Sequence, residues 1–362
     1  MVRETHPTFS WPLTTFPMRY LIYLGYCLLV LVAAFFLAEG VVRLLGNRPY
    51  ENKALRFSSV EPGGRLYQRH PTLWFAHFPG RFTLTLPTGF KFQVTHGDDG
   101  LRITHPPRHK PAAADPKQIW IFGCSFTYGL CLNDPDTYPW LLQERFPDFE
   151  VVNFGVGGYG TIQYLIQLKE ALAAGRKPPA VLIIAYVNLH DLRNCGFRSW
   201  RKGLIPHLEL GETFFPHADL DREGNLQYAY VKWDYAPLPF MDRCAFLHRL
   251  ETAYNRWEDR SRHGRLVAQA IFREINRICR DHQIIPVLAD LTWDRKTGEM
   301  LEYCRSLGMF GVDISLDFTH PDNNFLPHDG HPNARANREY ARRLGDFLQE
   351  RVMPQLAGAV GK

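Results

Sequence analysis

Four short clusters in this 362-residue chain bring together residue types that do chemistry. The first, Gly123-Cys124-Ser125-Phe126-Thr127-Tyr128-Gly129, sets a serine directly after an apolar run and a glycine. On such a tight turn the hydroxyl is exposed and the N–H is free to bind an anion. Standing alone, the same residues read as a simple hydroxyl turn. They are not the elbow of the α/β-hydrolases, because Gly-x-Ser-x-Gly needs glycine where Thr127 stands. The last cluster, His328-Asp329-Gly330-His331-Pro332-Asn333, offers an imidazole as general base and a carboxylate near enough to fix its tautomer. Its His-Asp-His grouping also suits a metal, but no further ligand cluster accompanies it, so neither metal nor cofactor is expected.

Between these lie two more clusters. In Asn153-Phe154-Gly155-Val156-Gly157-Gly158-Tyr159-Gly160, four glycines within six positions let backbone approach a ligand closely. Gly155, Gly157 and Gly160 match the dinucleotide spacing G-x-G-x-x-G. That reading needs an acidic residue about 20 positions on, and Lys177-Pro178-Pro179 lies there instead. In Tyr186-Val187-Asn188-Leu189-His190-Asp191, Asn188 offers a side-chain N–H to the same region, or else caps a helix. His190 and Asp191 mimic a catalytic pair, yet adjacent residues point in different directions.

The elements that must hold these clusters alternate between strand and helix. Strands are expected at 118–122, 151–154, 180–186, 284–289 and near Val312. Helices are expected at 136–146 (with Asp136 as N-cap), 161–174, 266–282, 297–307 and 333–351. Near-continuous apolar strands alternating with helices describe an α/β fold, a doubly wound parallel sheet flanked by helices. In an open sheet of this kind ligands bind at the carboxyl ends of the strands, where the clusters fall. Residues 196–245 break the rhythm and read as an insertion, with Asp221 to Asn225 at a hairpin turn. Residues 81–86 and 90–94 alternate apolar and polar about Pro87-Thr88-Gly89, giving a small β-rich appendage within 47–116.

The chain is 45% hydrophobic and 22% charged, with a formal charge of +5, which suits a globular body. Its basic residues are scattered, so no nucleic-acid partner is expected. The seven cysteines include no C-x-x-C pair, which removes zinc-ribbon and thioredoxin readings; mostly free, buried thiols are expected. Residues 21–38 carry no charge and, as a helix, span roughly 27 Å, enough for an uncleaved single-pass membrane anchor. Residues 1–20 then form a tail, 21–46 the anchor and its stub, and 117–352 the main domain. Arg43, Arg48, Lys53 and Arg56 follow the span, whereas Arg3 and Arg19 precede it, a bias that places the main domain in the cytoplasm.

Taken together and in order, the clusters resemble the SGNH/GDSL serine hydrolases over about residues 117–350. Val42-Arg43-Leu44-Leu45 and Gly100-Leu101-Arg102 are similar to stretches of membrane-anchored bacterial members. The resemblance implies a flavodoxin-like three-layer fold and an esterase that works through an acyl-serine. Ser125 would be the nucleophile, His331 the base and Asp329 its orienting acid, while Ser125, Gly158 and Asn188 would form the oxyanion hole. It also implies a periplasmic or extracytoplasmic domain, against the charge bias. The chain departs from the pattern in having Cys124 where the family has aspartate, and its acid is two rather than three residues before the histidine; the usual spacing falls on His328. The substrate would be a small-molecule or glycan ester. An O-acyltransferase on envelope glycans, or a non-catalytic glycan-binding module, would use the same scaffold. The sequence leaves the oligomeric state open.

Overall fold

The computed structural model describes residues 18–51, 57–106, 115–204, 210–261 and 263–358. Most of the expected tail, part of the expected linker and most of the loop at 106–116 lie outside them. The chain divides into two compact units, residues 1–51 with 237–254, and residues 52–236 with 255–362.

In the first unit, α1 (Met18–Leu44) is a 27-residue helix with no buried residue, long and apolar enough to cross a bilayer. It runs on past the apolar segment through an ion pair between Glu39 and Arg43, one helical turn apart. The Glu39 carboxylate also accepts the N–H groups of Ala245 (3.0 Å) and Phe246 (2.7 Å), at the start of α7 (Ala245–Ser261). No helix is expected there from the sequence pattern. Its Leu250, Tyr254 and Trp257 are exposed, so no buried apolar stripe announces it.

The second unit opens with short antiparallel pairings. Strands β1 (Ser59–Glu61), β4 (Gly80–Thr85) and β5 (Lys91–His96) form one sheet, β2 (Tyr67–His70) and β3 (Trp74–His77) another. The β4–β5 hairpin turns where Pro87-Thr88-Gly89 predicts. Then come β6 (Lys117–Phe122), the single turn α2 (Ser125–Tyr128), α3 (Tyr138–Arg145), β7 (Phe149–Asn153), α4 (Thr161–Ala173) and β8 (Val181–Tyr186). The helix expected from Asp136 starts two residues later. Asp134–Asp136 form a 3₁₀ turn and Pro139 occupies the first helical turn, where a missing N–H does no harm. Helix α5 (Leu189–Asn194) follows β8, and the insertion then holds α6 (Arg198–Leu204) and a hairpin of β9 (Phe214–Leu220) and β10 (Leu226–Lys232). The chain continues with α8 (Gly264–Asp281), β11 (Ile285–Thr292), α9 (Arg295–Ser306), β12 (Phe310–Leu316), the small hairpin β13 (Asn324–Phe325) and β14 (Asp329–Pro332), and α10 (Ala334–Phe347).

The core is a five-stranded sheet in the order β12-β11-β8-β6-β7, every pairing parallel. Counting within that sheet alone, the order is that of a flavodoxin-like doubly wound fold. Alternate residues of each strand feed opposite faces. Trp120, Phe122, Leu182, Ile184 and Leu288 pack with α4 and α8, while Ile119, Ile121, Ile183, Val287 and Ala289 pack with α3 and α10. Both faces are covered, so the strands read as unbroken apolar runs. The chain reverses its winding between β6 and β8, and the switch point lies beyond their carboxyl ends.

Candidate active site

Ser125 begins α2 one turn beyond β6, and its N–H is outside the helical ladder because no residue four places back is helical. The turn is pinned from two directions. Asn153, the last residue of β7, donates to the Thr127 carbonyl (3.1 Å) and accepts the Gly155 N–H (2.9 Å), tying the first and second clusters together. Gly155 cannot carry a side chain, since a Cβ there would lie 2.5 Å from the Tyr128 nitrogen. From the other side comes the fully buried Arg102, whose guanidinium pairs with Asp134 (2.9 Å). It also donates to the carbonyls of Tyr128, Gly129 and Leu132, each at 2.7 Å. The Gly-Leu-Arg stretch noted in the sequence therefore holds the backbone just after Ser125.

His331 arrives on β14. Its Nε2 lies 2.8 Å from Ser125 Oγ, and its Nδ1 is hydrogen-bonded to Asp329 Oδ1, which also accepts the His331 N–H at 2.8 Å. Burial by itself raises the Asp329 pKa. The hydrogen bond and charge of His331, with a further hydrogen bond from the Cys131 thiol, outweigh it and hold the carboxyl below its ordinary value. Burial pushes the Cys131 thiol far up, so it remains a donor. His328 is turned away, its ring stacked on Phe90 with centroids 5.4 Å apart. Two residues of spacing suffice here because β14 is extended and its turn bends the Asp329 side chain back onto the imidazole.

Ser125, His331, Gly157 and Gly158 line one pocket of about 200 Å³. Phe57, Tyr67 and Phe75 from the β-rich appendage complete its wall, together with Leu130, Trp200 and Arg193. Gly158 has φ +89°, a conformation that favours glycine. Asn188 does not join them. Its side-chain N–H donates to Asp294 Oδ1 (3.2 Å), and the residue lines a different pocket. This corrects the expectation that its amide serves the oxyanion site. The Asp294 carboxylate, anchored by the Lys296 and Thr297 N–H groups as the N-cap of α9, holds it there. His190 and Asp191 also part company, the histidine to Tyr164 and the carboxylate to Tyr186 and Arg265.

Sequence reasoning missed Arg193, Cys131 and the aromatic residues of the appendage. Arg193 had a faint signal, since it follows the third cluster by two residues. Nothing local indicates that Cys131 reaches Asp329 or that Tyr67 lines the pocket of Ser125. All seven cysteines are free thiols, and six of them are buried.

Neither a family model nor a curated protein sequence matches the chain. Several solved structures do resemble it. A lipolytic protein of the G-D-S-L family from Desulfitobacterium hafniense is 15% identical, with 64% of this chain and 99% of that one covered and a TM-score of 0.33. TesA is 15% identical, covering 64% and 98%, with a TM-score of 0.37. AlinE4, an SGNH-hydrolase family esterase, is 15% identical, covering 67% and 99%, with a TM-score of 0.35. The solved structures it resembles are thus GDSL and SGNH lipolytic proteins and esterases. At identities and TM-scores this low, the strand order and the Ser125–His331–Asp329 geometry stand on their own evidence.

Proposed function

We propose that the chain is a membrane-anchored serine esterase of the SGNH/GDSL type that cleaves a carboxylic ester through an acyl-serine. The observation that carries this reading is the hydrogen-bonded row Ser125 Oγ–His331 Nε2 (2.8 Å) and His331 Nδ1–Asp329. His331 takes the hydroxyl proton as Ser125 Oγ attacks the ester carbonyl carbon, and Asp329 stabilises the imidazolium that forms. The N–H groups of Ser125 and Gly158 receive the developing oxyanion; one such donor is typically worth roughly 3 to 4 kcal/mol of barrier. His331 then returns the proton to the departing alkoxide, leaving the acyl group on Ser125. Water, activated by the same imidazole, releases the acid. A sugar hydroxyl entering instead of water would make the chain an O-acyltransferase on envelope glycans.

The exposed, apolar α1 supports anchoring in a bilayer, with the catalytic unit on the extracytoplasmic side. The deciding experiment is labelling of the full-length protein with a fluorophosphonate, followed by ester turnover with and without a glycan acceptor. Labelling at Ser125 with release of free acid is expected. A folded protein that neither labels nor turns over any ester would be a binding module instead.

A further inference from the structure

We propose that Arg193 is an anion anchor in the Ser125 pocket, and that the ester this chain cleaves carries a carboxylate close to its scissile bond. The inference rests on the esterase reading for the role of the pocket, and on Arg193 itself for the charge of what enters it.

Arg193 is only 6% exposed. Among the described residues it has no carboxylate partner. Nη1 donates to the Tyr159 carbonyl (2.9 Å), Cζ lies 4.3 Å from the Trp200 ring centroid, and Nε is buried with no acceptor. The other buried arginine among the described residues, Arg102, is treated differently: it is neutralised by Asp134 and saturated by carbonyls. A buried cation left without a counter-charge is heavily penalised unless something else supplies one. Arg193 lines the same pocket as Ser125, Gly158 and His331, whose wall is otherwise largely apolar and, among the described residues, contains no acidic one. In such surroundings an attraction between charges is strengthened.

The guanidinium is also held rigidly. Trp200 packs against its face, and at Gly160 a Cβ would come within 2.9 Å of Arg193 Cβ, so α5 is pressed onto the second cluster. A fixed planar fork matches a carboxylate better than a flexible ammonium does. A neutral acyl chain would leave the charge uncompensated; an acyl chain ending in a carboxylate would satisfy it.

The test compares two esters of similar shape on the full-length protein in detergent: 4-nitrophenyl hydrogen succinate, and 4-nitrophenyl 4-methylpentanoate. The succinate should be favoured by about tenfold or more in kcat/KM, mostly through KM, as a charge-assisted hydrogen bond allows. Arg193→Met should bring the ratio close to one, and Arg193→Lys should restore part of it. Equal rates for both esters in the unaltered protein would overturn the proposal. So would an Arg193→Met loss that falls equally on both esters, the mark of an oxyanion donor or a purely structural residue. A second arm is independent of catalysis: calorimetric binding of monomethyl succinate to Ser125→Ala. Binding is expected even if the serine proves inert, and its absence would overturn the anchor while leaving the esterase reading to the fluorophosphonate result.

Discussion

Two pockets open beyond the carboxyl ends of the parallel strands, one of about 200 Å³ around Ser125 and one of about 630 Å³ around Asn188. The larger is walled by charges of both signs, among them Asp191, Arg256, Asp259, Arg260, Arg265 and Lys296. Two of its polar side chains engage carboxylates, Arg265 that of Asp191 and Asn188 that of Asp294. The smaller is largely apolar and contains a hydroxyl already hydrogen-bonded to an oriented imidazole. Size and charge thus point to one pocket and chemistry to the other. What marks a reactive site is a nucleophile, a base and an orienting acid in sequence within a shielded space, since interactions there are not diluted by water.

The contrast breaks most sharply at Ser125. Ser125→Ala should lower kcat by about 10⁵- to 10⁶-fold and abolish fluorophosphonate labelling. Turnover that survives this change but is lost on altering Lys296 or Arg265 would move the site to the larger pocket. Next in size is Asp329→Ala, with an expected loss of about 10³- to 10⁴-fold in kcat on a simple activated ester. His328→Ala should lose less than about tenfold, because its ring stacks on Phe90 and does not touch His331. The reverse order would make His328 the working partner.

Asn188→Ala sharpens the comparison from the other pocket. With its amide on Asp294, the variant should keep kcat within a few-fold and lose about 1 kcal/mol of stability, read as a lower Tm. A hundredfold fall in kcat with an unchanged Tm would return Asn188 to the oxyanion site. The smallest effect concerns Asp290, buried at the end of β11. Burial first, then the charges of Asp313 and Asp294, raise its pKa from 3.8 to about 7. A carboxyl that holds its proton more tightly when folded stabilises below its unfolded pKa, and that contribution fades as pH rises through the folded one. Stability should therefore fall between about pH 4 and pH 7, and Asp290→Asn should flatten that slope in denaturant melts. An identical slope in the variant would show that Asp290 titrates normally.

The alternation of apolar strands with helices, and the pairing of a serine after the first strand with a histidine before the last helix, were legible in the sequence. Strands 117–122 and 181–186 read as buried because every position from Val181 to Tyr186 is covered on one face or the other. A histidine two residues from an aspartate is likewise a local fact, and the extended backbone of β14 makes it a local geometry. Helix α7 was not legible, since the residues it buries along its length, Glu251, Asn255 and Glu258, are polar, and neither was the choice between Asp329 and His328.

What the sequence determined by itself is therefore what short-range spacing controls: the elements, the covered faces, the placing of the serine and histidine clusters at the strand ends, and an apolar segment of membrane-spanning length. Only the tertiary structure decided which polar side chains share a pocket. Asn188 and Arg193 lie only five residues apart, yet Asp294 holds the first in one pocket while Trp200 and the Tyr159 carbonyl set the second beside Ser125. Those partners are distant in sequence, and a side chain's hydrogen bond goes to whichever group folding brings within about 3 Å.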